Sequence, residues 1–167
     1  MKHFISRRNF LKAAGVTAAA SAMAAAVPQA SAGFLTGKDA AVTILYTNDV
    51  HTYIDNKSPK LTYAAIAAMK QGYVDEGKPV LLVDAGDHIQ GTAYGSMDDG
   101  ATIIELMNEA GYDIATLGNH EFDYGMARAK AIIKEADFPY VSCNWVDLRT
   151  GLRVLPAVKL FPAGGKW

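Results

Sequence analysis

Short apolar runs and longer helical patterns alternate through most of the chain. Residues 42–47 (VTILYT) are β-branched and aromatic, the composition of a strand. Residues 79–83 (PVLLV) form a nearly continuous apolar run, which predicts a strand covered on both faces. Residues 112–117 and 139–143 predict two further strands, and 154–160 look like the start of another. Helical spacing fills the gaps. Residues 61–74 place Leu61, Ala64, Ala65, Ala68 and Met69 on one face. Residues 101–110 do so with Ile103, Ile104 and Met107, and 124–136 with Ala127, Ala131 and Ile132. Gly111 stands where the second of these helices should be capped. Strands alternating with helices predict an α/β fold with a mostly parallel sheet.

The first 32 residues follow another pattern. Arg7 and Arg8 precede Phe10-Leu11-Lys12, an alanine-rich apolar stretch runs over 13–27, and Ala30-Ser31-Ala32 closes it. This is the basic, apolar, small-residue order of a cleavable export signal. Fifteen weakly apolar residues fall short of the roughly 20 that a spanning helix needs, so no stable membrane anchor is expected. The Arg-Arg pair and the Phe-Leu-Lys that follows resemble the twin-arginine signal, which implies passage of a folded precursor through the twin-arginine translocase to the periplasm or cell exterior. Cleavage after Ala32 would leave a domain beginning at Gly33.

Charge separates the two parts again. Four of the 16 basic residues (Lys2, Arg7, Arg8, Lys12) lie in the signal, which has no acid, leaving 12 bases against 17 acids in the other 135 residues. A mildly acidic domain lacks the basic face that nucleic-acid binding requires. Cys143 is the only cysteine, so the chain can form no internal disulfide.

Chemistry gathers at the predicted strand ends. Asn48-Asp49-Val50-His51 follows the first strand, residues 84–92 (DAGDHIQGT) the second and 118–123 (GNHEFD) the third. Parallel strands end on one edge, so these loops should converge where open α/β sheets bind ligands. Taken singly, Asp49, Asp87 and Asn119 are residues of ordinary turns and caps. Their recurrence at three equivalent places, each beside a histidine, points to a site. If strand geometry persists past Thr47, Asp49 and His51 face the same way. Their oxygen and nitrogen donors suit zinc, manganese or iron. The Asp87 carboxylate has enough oxygens to bridge two ions, and Asn119 offers a neutral oxygen. His120 is left free to meet a substrate, and Asp123 could orient and charge its ring. His88 should turn away from the site, Asp84 should support a turn, Glu121 should lie on the surface and Phe122 should pack.

Together, residues 47–51 (TNDVH), 86–92 (GDHIQGT) and 118–123 resemble the exported 5′-nucleotidase family of calcineurin-like metallophosphoesterases, over residues 42 to about 145. The resemblance implies the N-terminal part of a four-layer α/β/β/α sandwich with a dinuclear metal centre at the strand ends. By resemblance, Asp49 and His51 hold one divalent ion, Asp87 bridges, and Asn119 holds the second, manganese, zinc or a similar metal. His120 with Asp123 would stabilise the transition state while a bridging water attacks a phosphate monoester, foremost a nucleotide. Cyclic-nucleotide phosphodiesterases, UDP-sugar hydrolases and thiosulfate-releasing enzymes share these motifs and stay open as readings, as does a non-catalytic remnant. The family pattern continues with downstream histidine ligands and a substrate domain, whereas no histidine follows His120 here. Residues 33–167 are therefore expected to be the first portion of a metallophosphoesterase domain, weakly active at best in isolation.

The signal generates its own prediction. Replacing Arg7 and Arg8 together by lysine should stop twin-arginine export of a reporter fused after Ala32. Cell fractionation checks it, and undiminished export by that route would refute the reading.

Overall fold

The computed structural model describes residues 42–54 and 62–161. The export signal, the mature start at Gly33 and the expected helix start at Leu61 lie outside the described residues. Eight elements follow in order: β1 (Thr43–Thr47), α1 (Tyr63–Asp75), β2 (Val80–Asp84), the short α2 (Ala93–Ser96), α3 (Ala101–Ala110), β3 (Ile114–Ala115), a 3-10 turn (His120–Phe122) and α4 (Met126–Glu135).

The sheet is parallel, in the order β1-β2-β3. Thr43 pairs with Val80 and Thr47 with Asp84, while Val83 and Asp84 pair with Ile114 and Ala115. The two outer strand expectations shorten. Of residues 112–117 only Ile114–Ala115 is strand, and of 139–143 only Tyr140 joins the sheet, by a parallel bridge to Ala115. Asp113 explains one end of the shortening: its amide donates to the Leu82 carbonyl at 2.8 Å, but its carboxylate, which also accepts the Lys70 ammonium at 2.7 Å, takes the Leu82 amide at 2.7 Å in place of a backbone carbonyl. Residues 154–160 form no strand; Arg153 makes a single antiparallel bridge to Val146.

The core lies between the sheet and the helices. Leu82, Ile89, Ile103, Ile104, Met107 and Ile132 are fully buried, with Tyr63, Ile66, Tyr112, Phe138 and Tyr140 around them. On β2 the buried residues are Val80, Leu82 and Asp84, whereas Leu81 and Val83 stay half-buried. Their register partners on β1 repeat this, because Leu45 packs on the core while Ile44 and Tyr46 are 60% and 73% exposed. Among the described residues the helices thus cover one sheet face, and the expectation that both faces of β2 are covered is not met.

The helices differ in how well their spacing marked the buried face. In α3, Ile103, Ile104 and Met107 are buried as the spacing predicts, and the Gly111 amide caps the end by donating to Met107 and Asn108. In α1 the buried residues are Tyr63, Ala64 and Ile66, and Ala68 and Met69 are exposed. So many alanines surround this helix that alanine spacing marked no face; the bulkier Tyr63 and Ile66 decided which side gains most from burial. In α4, Ala129 and Ile132 are buried and Ala127 is exposed. Thr62 starts α1 by accepting the Ala65 amide. No described helix is long and apolar enough to cross a membrane.

Leu82→Ala should destabilise the chain by about 2–5 kcal/mol, the cost of a cavity at a fully buried position. Ile44→Ala on the open face should cost under about 0.5 kcal/mol. Urea unfolding of the purified variants measures both, and equal costs would mean that the open face is covered in solution.

Candidate metal centre

The edge at the strand ends is assembled by backbone hydrogen bonds between loops. After β1 the chain leaves extended geometry: Asp49, His51 and Thr52 have φ of 53°, 46° and 57°. Asp49 and His51 are therefore not aligned by strand alternation. They are held by their amides, which donate to the Gly86 and Asp87 carbonyls at 3.1 and 3.0 Å. Left-handed backbone is unfavourable for such residues, so neighbours must enforce it. Buried Thr52 does so by accepting the Thr92 amide at 2.6 Å and pairing hydroxyl to hydroxyl with Thr92 at 2.7 Å. The His51 ring donates from Nδ1 to the Gln90 carbonyl at 3.0 Å, which leaves the Nε2 lone pair for other use. That Nε2 lies 3.7 Å from Asp49 Oδ1, and the other Asp49 oxygen accepts the Asn48 amide group.

The loops after β2 and β3 pack still more closely. A Cβ on Gly86 would fall on the Gly118 backbone and one on Gly118 would fall on the Asp87 carboxylate, so only glycine permits this approach. Asp87, at φ 59°, accepts the His120 amide on Oδ1 at 2.8 Å. His120 Nδ1 donates to Asp123 at 2.7 Å. The His51 and His120 rings meet edge to face with centroids 5.0 Å apart. One potential ligand atom from each of His51, Asp87 and His120 lies within 4.8 Å of the others.

Four neighbours complete the picture. Asp84 is buried and accepts the Gly86 amide and His88 Nδ1, at 2.9 and 2.7 Å, in keeping with a turn-supporting role. His88 turns inward as expected, with Nε2 2.8 Å from the Tyr140 hydroxyl. Phe122 packs edge-on against Trp145. Glu121 corrects the sequence reading: it is fully buried, not on the surface. Its Oε2 accepts the amides of Asp87 and Gly118 at 2.8 and 2.6 Å, and its Oε1 accepts that of His88 at 2.8 Å. A faint local signal existed, since a glutamate three residues into a turn can reach back to the amide that opens it.

Charge follows the same contacts. The Asp123 hydrogen bond raises the His120 pKa above the ordinary imidazole value, with the charges of Asp123, Asp87 and Glu121 adding to it against some desolvation. At His88 burial opposes protonation most strongly, yet the Asp84 hydrogen bond and the charges of Asp84, Glu121 and Asp87 outweigh it, and the pKa stands raised.

Of the six residues singled out by sequence, the structure gathers His51, Asp87 and His120 at one point, sets the half-exposed Asp49 3.7 Å from His51, and holds Asp123 on His120. Asn119 lies on the same loop, exposed, and its side chain does not cap the turn that follows. The donor set fits a divalent cation. An imidazole with its far nitrogen already anchored, beside carboxylates, is the arrangement that borderline and hard metals favour.

Comparison with known proteins gives a consistent set of matches. The calcineurin-like phosphoesterase pattern matches residues 42–166, and the TAT (twin-arginine translocation) pathway signal pattern matches 5–27, which marks the chain for export. The snake venom 5′-nucleotidase of Gloydius brevicauda is 40% identical over 114 residues, 62% of this chain and 19% of that protein. The solved calcineurin-like phosphoesterase YfkN of Bacillus subtilis is 35% identical with a TM-score of 0.58, covering 69% of this chain and 40% of that one. The 5′-nucleotidase precursor of Thermus thermophilus is 32% identical with a TM-score of 0.57, covering 62% and 22%. The chain spans about a fifth of the length of the curated 5′-nucleotidases it matches.

Asp123→Asn should lower the His120 pKa back toward the ordinary imidazole value of about 6.5, because the ring loses the carboxylate that favours its charged form. The protonated fraction at neutral pH falls accordingly. NMR titration of the ring protons in metal-free protein measures it, and an unchanged pKa would mean that Asp123 does not set the charge.

Proposed function

The chain belongs to the calcineurin-like phosphoesterase family, related to the 5′-nucleotidases, and from that premise we propose that it contributes metal-holding loops to an enzyme that hydrolyses phosphate monoesters, nucleotides foremost. One observation supports this most: His51 and Asp87, from separate loops, bring potential ligand atoms within 4.8 Å of one another, and a His120 ring nitrogen lies equally near, within reach of a phosphate held there. In this reading Asp49, His51, Asp87 and Asn119 hold two divalent cations, manganese, zinc or similar. When bound, such a pair supplies Lewis acidity, making water nucleophilic at neutral pH and offsetting charge on the phosphate.

The chain's own groups do the rest. The backbone amides of Asp49 and His51 fix where both residues leave the chain, and the Gln90 carbonyl anchors the His51 ring before any ion arrives. His120 keeps Nδ1 on Asp123 and has Nε2–H left to donate. The Asp123 hydrogen bond favours its charged form, which would meet phosphate oxygens as negative charge builds there in the transition state. Asp123 holds that charge and the ring's orientation. Nucleotides are favoured over other esters because the matched relatives bear 5′-nucleotidase names.

The same reading covers architecture. Residues 1–32 form the removable signal, and residues 33–167 form one portion of a four-layer sandwich. The open sheet face at Ile44 and Tyr46 fits a layer that another sheet would cover.

The division of labour can be tested directly. In a complete enzyme that carries residues 33–167, supplied with excess Mn²⁺ and a nucleoside monophosphate, Asp87→Ala should lose bound metal and activity together. His120→Ala should keep its metal and lose about 10²–10³-fold in kcat, the scale of one lost electrostatic donor. Elemental analysis beside phosphate release reads both. If His120→Ala strips metal as thoroughly as Asp87→Ala, then His120 is a ligand and this assignment is wrong.

A further inference from the structure

We propose that Glu121 is the positioning residue of the metal centre, fixing where Asp87 stands relative to the Asn119–His120 loop; this rests on the metal-holding reading above. Glu121 is fully buried and lies on none of the ligand positions. Its Oε2 accepts amides from both loops, Asp87 at 2.8 Å and Gly118 at 2.6 Å, so one atom sets the distance between them. Its Oε1 accepts the His88 amide at 2.8 Å and, more weakly, that of Ile89 at 3.4 Å, and lies 3.5 Å from His88 Nδ1. Three successive amides, 87 to 89, thus curl around one carboxylate. Such a nest ordinarily holds a bound anion; here the anion belongs to the chain.

The curl has a consequence for the site. Asp87 is held at φ 59°, a conformation an aspartate does not prefer, and its carboxylate then meets the His120 amide at 2.8 Å. Two carboxylates therefore tie the same pair of loops, Glu121 from the buried side and Asp87 from the exposed side. Removing the buried tie frees Asp87 to relax and spreads the ligand atoms. Glutamine cannot replace it, because its amide nitrogen would face amide donors where an acceptor is required.

The test is Mn²⁺ affinity, measured by calorimetry on folded protein. Glu121→Gln should bind about 10–100-fold more weakly than the wild type, the range for residues that orient metal ligands. Glu121→Asp, which keeps the charge but is one methylene too short to reach both loops, should also weaken binding. Ile104→Val, a destabilised control in the helix layer, should bind like the wild type. In NMR spectra the Asp87, His88 and Gly118 amide protons should move upfield in Glu121→Gln. Asp87→Ala separates the two ideas. If it loses metal while Glu121→Gln binds within twofold of the wild type, positioning by Glu121 is refuted and the metal reading stands. If the wild type and Asp87→Ala bind alike, or neither binds, the metal reading falls and this proposal with it. If neither Glu121 variant folds, Glu121 maintains the fold and the positioning role is likewise refuted.

Discussion

A carboxylate removed from water must be surrounded by donors, or it becomes too costly to keep charged. Glu121 meets that constraint with backbone amides from two loops, those of Asp87 and His88 on one and its own Gly118 on the other. The same bonds satisfy amides that no strand or helix would otherwise pair. Loop backbone and buried charge thus solve each other's problem. Around this joint the glycines at 86 and 118 let two chains touch, and Asp84 and His88 continue the polar contacts inward to Tyr140.

The parallel sheet makes such a joint possible. Strands β1, β2 and β3 end on one edge, so segments distant in sequence arrive side by side. Rigid strands bring the loops to within a few ångströms, and hydrogen bonds between loops fix the rest. Left-handed backbone at Asp49, His51, Thr52 and Asp87 is concentrated in these loops. Strain of this kind persists only where the surroundings over-determine it and tends to gather at functional sites. Here it accompanies the residues whose side chains lie nearest one another.

The helix layer and the open face divide the remaining roles. Leu82, Ile104 and Met107 share one buried apolar cluster, and α1 packs against both β2 and α3, while Ile44 and Tyr46 on the other face remain exposed. Apolar side chains in that position on a parallel sheet are ordinarily covered. The site therefore stands at the rim of one complete layer and one open one, with Asp49 beside an open cavity of about 510 Å³ also lined by Tyr46 and Tyr53.

Much of this was written locally. Apolar runs identified β1 and β2, spacing gave α3 and its buried face, and Gly111 marked its end. Parallel topology then followed from alternation, and with it the meeting of His51, Asp87 and His120, because strand ends share an edge whatever the loops do. The burial of Glu121 was not legible, nor were the left-handed turn through Asp49 and His51 and the shortness of β3. Each depends on a partner far along the chain: Glu121 on amides more than 30 residues away, His51 on the Asp87 carbonyl, Leu82 on the Asp113 carboxylate. The sequence by itself determined which residue types reach the edge, since periodicity is a local property. Only the tertiary structure decided which way they face, since that is set by hydrogen bonds between segments that periodicity does not relate.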